Sequence, residues 1–364
     1  MELTSVFLST TNIGDGNPWG TYALKKALGS SHPESVKRST LTTASLPAKI
    51  FHEYMTQNPE ARKRYTHGGD HLRQGMAAYF FGLLQCLEMA WRNPELVRAI
   101  TTKKPAYLVG GFVQEHQLAT VPDWAFPHQF HHAFLAVPDV KPKESAVRIA
   151  RRAKLPLYVW TKEAKEALRH RYVSSTLVAP FMLVPFLSPT FTFGKVEERR
   201  ALVKTSGSGI VPSELAFLVQ NLEKMRYAYE IHLPTGVITN DGIFSVPPSV
   251  EERIDAYIKS LCMHPPELLI TCSSEQTQVS TEARLAGWTG THMTFPPRGK
   301  HEENNVLWGK KHGVIQEETE FIYHLPRDIR RASAVKKGQV SELRQEVGTL
   351  SVRKACEKAL DRVQ

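Results

Sequence analysis

Short apolar runs of strand length alternate along the chain with stretches whose apolar residues return every three to four positions. That rhythm predicts strands alternating with helices. SVFLST (5–10) is the first apolar run, followed by a glycine turn, IGDGNPWG (13–20), and a helical run, TYALKKALG (21–29). A strand, a glycine turn and a helix in that order open an α/β unit. Residues 71–98 have helical periodicity, and KPAYLVGGFV (104–113) reads as a strand ending in a Gly-Gly turn. ESAVRIARRA (144–153), LPLYVW (155–160) and KEAKEALRHRY (162–172) then read as helix, strand and helix.

Residues 180–200 interrupt the rhythm. Pro180, Pro185 and Pro189 punctuate an apolar stretch that gives way to the charged run KVEERR (195–200), which predicts a linker. Beyond it the alternation restarts. ALVKTSGSG (201–209) is a strand entering a Gly/Ser loop, and PSELAFLVQNLEKM (212–225) is a helix with Pro212 in its first turn. YAYEIHLP (227–234), PELLITCSS (266–274) and THMTFP (291–296) read as strands, while 248–262 and TEARLAGW (281–288) read as helices. The last 30 residues are basic and helical in tendency. The pattern predicts an α/β fold of two halves: 1–190, 200–345, and a C-terminal helix at 346–364 returning to the first half.

Composition narrows the class. With 364 residues, 41% of them hydrophobic, the chain has ample core material, which excludes a mostly disordered or collagen-like protein. Four cysteines, at 86, 262, 272 and 356, are too few and scattered for a disulfide framework and fit a reducing compartment. The N-terminal stretch lacks a basic n-region, and the most apolar segment (176–189) falls short of the roughly 20 residues that span a bilayer. A cytoplasmic protein is expected, with 176–189 as core strand plus linker and a peripheral membrane contact there left open. Lys+Arg exceed Asp+Glu by 46 to 36, for a net charge of +10, which favours anionic partners.

Three glycine loops follow predicted strands: Gly14-Asp15-Gly16, Gly110-Gly111 and Ser206-Gly207-Ser208-Gly209. Such loops let backbone N–H groups approach an anion at a helix start, or simply turn the chain. None has the GxxxxGK[ST] pattern, since Lys204 precedes the third loop rather than ending it, and none is a good dinucleotide fingerprint. The densest polar cluster is Arg298, Lys300, His301, Glu302, Glu303, Asn304 and Asn305, set between an apolar strand and a helix running to Gly313. Asp123, His128, His131 and His132 could ligate a metal or belong to an aromatic, His-rich loop. The sequence assigns no metal, and Trp19 and Trp124 are candidates for stacking on a sugar or base.

The segment from Glu282 to Gly313 resembles the nucleotide-sugar-binding part of GT-B glycosyltransferases, in particular the family of the bacterial lipid-II-forming N-acetylglucosaminyltransferase. Glu282 in Ser-Thr-Glu-Ala matches the family's ribose-binding Glu, Asn305 its Asn and Gly313 its Gly. His301 and Glu302 stand where the family has a donor-contacting Gln pair. The 206–209 loop and Cys272–Thr277 stand at its two C-terminal phosphate loops, GDGNPWG resembles its N-terminal glycine loop, and Gly110-Gly111-Phe112-Val113 resembles its acceptor-side loop.

The resemblance implies two Rossmann-like domains facing across a cleft, and transfer of a sugar from a nucleoside diphosphate sugar, UDP-linked, to an acceptor hydroxyl with inversion. It implies no cofactor. The donor site would be Gly14, Gly16, Ser206, Gly207, Ser208, Gly209, Thr277, Glu282, Arg298, His301, Glu302 and Asn305, with Lys300 as an alternative to Arg298 on the diphosphate. The base on the acceptor hydroxyl would be Asp15, then His116, then Glu115.

Basic residues at 151–172 and in the tail point to an anionic acceptor: a phosphorylated lipid, a polysaccharide or nucleic acid. A DNA-base glucosyltransferase, a non-catalytic α/β protein with a degenerate sugar-nucleotide cleft, and an NAD-dependent or phosphate-binding α/β enzyme stand as alternatives.

Overall fold

The computed structural model describes residues 6–8, 16–29, 36–37, 58, 107–109, 135–137, 139–142, 147, 150–151, 156–205, 212–245, 249–271, 275–296, 300–319, 324–335 and 337–361. The fold is mixed α/β. In the first half, β1 (Val6–Leu8) lies between β2 (Val36–Lys37) and β3 (Tyr107–Val109), and β5 (Leu157–Val159) lies between β4 (Leu135–Ala136) and β6 (Ser175–Leu177). All these pairings are parallel. Between β1 and β2 runs α1 (Gly16–Gly29), and between β5 and β6 runs α2 (Lys162–Arg169). The Thr161 hydroxyl caps α2 by accepting from the Ala164 N–H at 3.1 Å, satisfying one of the free amides of a helix start. The expected helix at 71–98 lies outside the described residues.

The second half holds a seven-stranded sheet. Its strands are β7 (Glu197–Lys204), β8 (Ala228–His232), β9 (Gly236–Thr239), β10 (Gly242–Ser245), β11 (Pro266–Thr271), β12 (Thr291–Thr294) and β13 (Glu317–Glu318), ordered β10-β9-β8-β7-β11-β12-β13. From β8 to β13 the strands are parallel, and β9 and β10 add an antiparallel hairpin on the β8 edge. The charged run expected as linker is instead the start of β7, whose first three residues are exposed while its last four enter the core. The hairpin is absent from the sequence expectations, although Asn240-Asp241-Gly242 between VIT and IFS is a strong hairpin signal. Gly242 takes φ +135°, a conformation open to glycine alone at little cost.

Helices cover both faces of this sheet. The helices described after β7 are α3 (Pro212–Lys224), α4 (Val250–Met263), α5 (Glu275–Leu285), α6 (Lys300–Lys311), α7 (Leu325–Ala334), α8 (Val340–Glu346) and α9 (Val352–Asp361). On one face Ala201, Val203, Ile231, Ile270 and Met293 pack with Leu218 and Leu222 of α3 and Ile329 of α7. On the other, Leu202 and Leu269 pack with Ile254 and Tyr257 of α4, Val279 and Ala283 of α5, and Trp19 and Leu24 of α1. Thus α1 of the first half shares a core with the second. Tyr22 Oη donates to Asp255 Oδ2 at 2.7 Å, and Lys25 faces Glu251 at 3.7 Å.

The chain returns to the first half before α9. Gly348 N–H donates to Trp160 O at 3.0 Å, Ala179 N–H to Leu350 O at 2.7 Å, and Tyr158 Oη to Ala355 O at 3.0 Å. A Cβ on Gly348 would stand 2.2 Å from the Val178 carbonyl oxygen, a backbone atom that cannot swing aside. Gly348→Ala is therefore expected to cost about 1–3 kcal/mol, as overpacked sites do. Chemical denaturation checks this, and a midpoint equal to wild type would contradict the close packing.

Candidate functional site

Strand order places a topological switch point between β7 and β11. From β7 the chain passes to β8 on one side, and from α4 it enters β11 on the other. In open parallel sheets, ligands bind beyond the carboxyl ends of the strands at such a point. Here those ends are Lys204, His232, Thr271 and Thr294, which lie side by side in register. The 206–209 loop follows β7, residues 272–274 follow β11, and Arg298 lies in the segment after β12.

The residues at this edge are polar yet buried. Lys204 is 2% exposed, beside Thr205 and His232. Thr205 donates from both its backbone N–H and its hydroxyl to the His232 carbonyl, each at 3.1 Å, tying β7 to β8. His232 Nε2 meets Glu230 Oε1 at 2.7 Å, and Glu230 Oε2 accepts from Arg200 Nη2 at 3.0 Å and Ser260 Oγ at 2.6 Å. Burial alone would raise the Glu230 carboxyl. Hydrogen bonds from His232, Ser260 and Arg200, with the charge of His232, outweigh it and hold the group down at about 2. An ionised Glu230 can only accept, so in a neutral ring the proton sits on Nε2 and Nδ1 is an acceptor. Burial keeps His232 below the ordinary imidazole range, aided by Lys204 and Arg200 and opposed by Glu230.

Above this layer stand Tyr257 of α4 and the first turn of α5. The Tyr257 ring meets His232 edge-on at 5.2 Å and Trp19 at 5.4 Å. Tyr257 Oη donates to Gln276 Oε1 at 3.0 Å. Gln276 is fully buried, and its Nε2 donor has no partner among the described residues. A buried orphan donor costs about 1–3 kcal/mol. At the head of a helix, it marks a place where an acceptor-rich anion would be favourable. Farther along, Thr271 Oγ1 meets His292 Nε2 at 2.8 Å, and burial, with the charge of Arg284, pushes His292 down to about 3.

Several residues assigned by the resemblance fall inside the described structure. Thr277 is buried in the first turn of α5, next to Gln276. Glu282, two turns from the head of α5, is 1% exposed. It accepts from the backbone N–H groups of Met182 and Leu183 through Oε2, each at 2.9 Å, and of Val184 through Oε1 at 2.8 Å. These three bonds take up most of the carboxylate's acceptor capacity, so ribose hydroxyls would compete with the three amides for it. Asn305 is buried between the halves: Oδ1 accepts from Val140 N–H at 2.6 Å, and Nδ2 donates to Asp139 Oδ1 at 2.8 Å. Gly16 is the first residue of α1 rather than part of the turn before it. His301 and Glu302 lie in the first turn of α6, with Glu302 half-buried. Gly313 closes the turn after α6 with φ +65°.

Gly14, Asp15, Glu115, His116, Ser206, Gly207, Ser208, Gly209 and Arg298 lie outside the described residues, as does the His-rich 123–132 stretch. Among the described residues, no group of three or more His, Cys, Asp or Glu side chains could hold a metal, and no helix is long and apolar enough to cross a membrane. The sequence expectations missed His232 and Glu230, and held Gln276 only as part of the Cys272–Thr277 phosphate-loop segment without a role of its own. Their signals were present: a His ending a strand two residues after a Glu, and an amide opening a helix after a strand.

The site thus defines an α/β protein with a donor-rich switch point. No family model and no curated protein matches the chain. Among solved structures, the crystal structure of Acinetobacter baumannii MurG is similar over 98% of this chain and 99% of its own, with a TM-score of 0.48 and 12% sequence identity.

Proposed function

We propose that this chain is a glycosyltransferase of the GT-B type that takes a nucleoside diphosphate sugar, UDP-linked, and passes the sugar to an acceptor hydroxyl. The observation that carries the reading is the edge at β7 and β11, where Lys204 is buried at the end of β7 and Gln276, whose Nε2 has no partner among the described residues, is buried in the first turn of α5. In the reaction the bond between the sugar's anomeric carbon and the phosphate oxygen breaks. Its electron pair stays on the diphosphate, so negative charge grows where donors must already stand. Lys204 and Gln276 suit that task, with the 206–209 loop, Thr277 and Arg298 joining them. The acceptor oxygen bonds the anomeric carbon as its proton passes to a base, with Asp15 first, then His116 and Glu115. In-line attack on the face opposite the diphosphate gives inversion. Gly14, Gly16, His301 and Glu302 complete the proposed donor set.

The charge balance supports an anionic acceptor, since the diphosphate needs only part of the +10. A second reading, a sugar-nucleotide-binding protein without turnover, is favoured by Glu282 and Asn305, whose polar atoms are engaged in holding the framework.

A thermal-shift panel of UDP-, GDP- and dTDP-sugars tests both. A ligand at a hundredfold excess over its Kd adds about 2.7 kcal/mol of stability. A rise in Tm with UDP-sugars, together with slow release of UDP, supports the transferase. A rise without release at any acceptor supports the second reading, and no rise with any nucleotide overturns both.

A further inference from the structure

The two ends of α5 have different employment. Its head carries Gln276 at the switch point. Farther along, Gln278 Oε1 accepts from Phe181 N–H at 3.3 Å, and Glu282 accepts from the N–H groups of residues 182–184. Gln278 and Glu282 are four residues apart and so share one face of the helix. Four consecutive backbone donors of the segment joining the halves are thus given to a single helix face. The same segment is held from the other side, where Trp19 Nε1 of α1 donates to the Met182 carbonyl at 2.7 Å. Trp19 also abuts Tyr257, which holds Gln276. The loop closes: switch point, α5, residues 181–184, α1, Tyr257 and back to the switch point.

We propose that Gln278 and Glu282 are positioning residues for the donor site. Through α5 they fix residues 181–184 and, through the Met182 carbonyl, the seating of α1, so that a diphosphate at the head of α5 tightens α1. The inference rests on the donor reading above. Leaving the buried amides of residues 181–183 unpaired is costly, so the position of α5 and that of this segment are held together. Linkage then requires reciprocity: whatever the diphosphate adds to the clamp, loosening the clamp must remove from the diphosphate's affinity.

The test is amide hydrogen exchange of the full chain with and without saturating UDP, alongside calorimetric titration of UDP. UDP is expected to slow exchange about tenfold in peptides covering 178–187 and 16–29. Gln278→Leu is expected to remove that slowing and weaken UDP about five- to tenfold. Trp19→Phe keeps a ring in the core but lacks the N–H. It should retain the slowing at 178–187 and lose it in α1, a split that general loosening would not produce. Inorganic pyrophosphate, which reaches only the head of α5, should slow both peptides as UDP does. UDP binding that leaves both peptides unchanged, or wild-type affinity in Gln278→Leu, overturns the coupling while sparing the donor reading. Wild-type protein that binds neither UDP nor pyrophosphate overturns both.

Discussion

Lys204→Met is expected to weaken UDP binding by about 10- to 150-fold and to leave the affinity for uridine unchanged. A hydrogen bond to a charged group contributes about 1.5–3 kcal/mol, and this ammonium stands at the end of β7 where the diphosphate is proposed to sit. Uridine has the base and ribose but no phosphate, so the ratio of the two affinities isolates the charge. Calorimetric titration of both ligands reads it. An equal loss for uridine would mean that the substitution disturbed the edge as a whole, and an unchanged UDP affinity would remove Lys204 from the site.

The second large effect belongs to Glu282. Glu282→Ala strands the buried amides of Met182 and Leu183, each costing about 1–3 kcal/mol, and the part-buried amide of Val184, so a loss on the order of 4 kcal/mol is expected in urea denaturation. Stability should also depend on pH. Burial pushes the Glu282 carboxyl up to about 8 even though the amides of Val184, Leu183 and Met182 favour its anion. The folded value lies above the unfolded one, so the folded state holds a proton that the unfolded chain has released. This contribution is complete below about pH 4.5 and is lost as pH rises through about 8, at up to about 1.4 kcal/mol per pH unit. Glu282→Gln has no proton to lose. Between pH 5 and 8 the urea midpoint of the wild type should therefore fall relative to that of Glu282→Gln. Parallel curves for the two proteins would show that Glu282 does not titrate in that window.

Much of the second half was legible because its strands and helices follow the two apolar periods closely. The β8 run, the helix at 250–263 with its Ser249/Glu252 capping box, and the buried β11 all announce themselves locally. Where β7 begins was less legible, since Glu197–Arg200 are charged residues pairing at the exposed foot of the sheet. The polar edge was only partly legible for a different reason. The Ser/Gly loop stood out by composition, whereas Lys204, His232 and Gln276 are ordinary residues until the strand order sets their elements side by side. Glu282 shows the converse. Its local context resembled a ribose ligand, but which groups a carboxylate meets depends on residues about 100 positions away.

The return of residues 347–355 to β5 and β6 also sets a timetable. Trp160 and Ala179 receive backbone partners from a segment made far later, and Thr161 bridges Val347. At 5–20 residues per second, a ribosome needs roughly 10 to 40 s to travel from β6 to those partners. Throughout that interval the β5–β6 edge stands without them, so the early part of the chain reaches this packing only after residues 347–355 have been made.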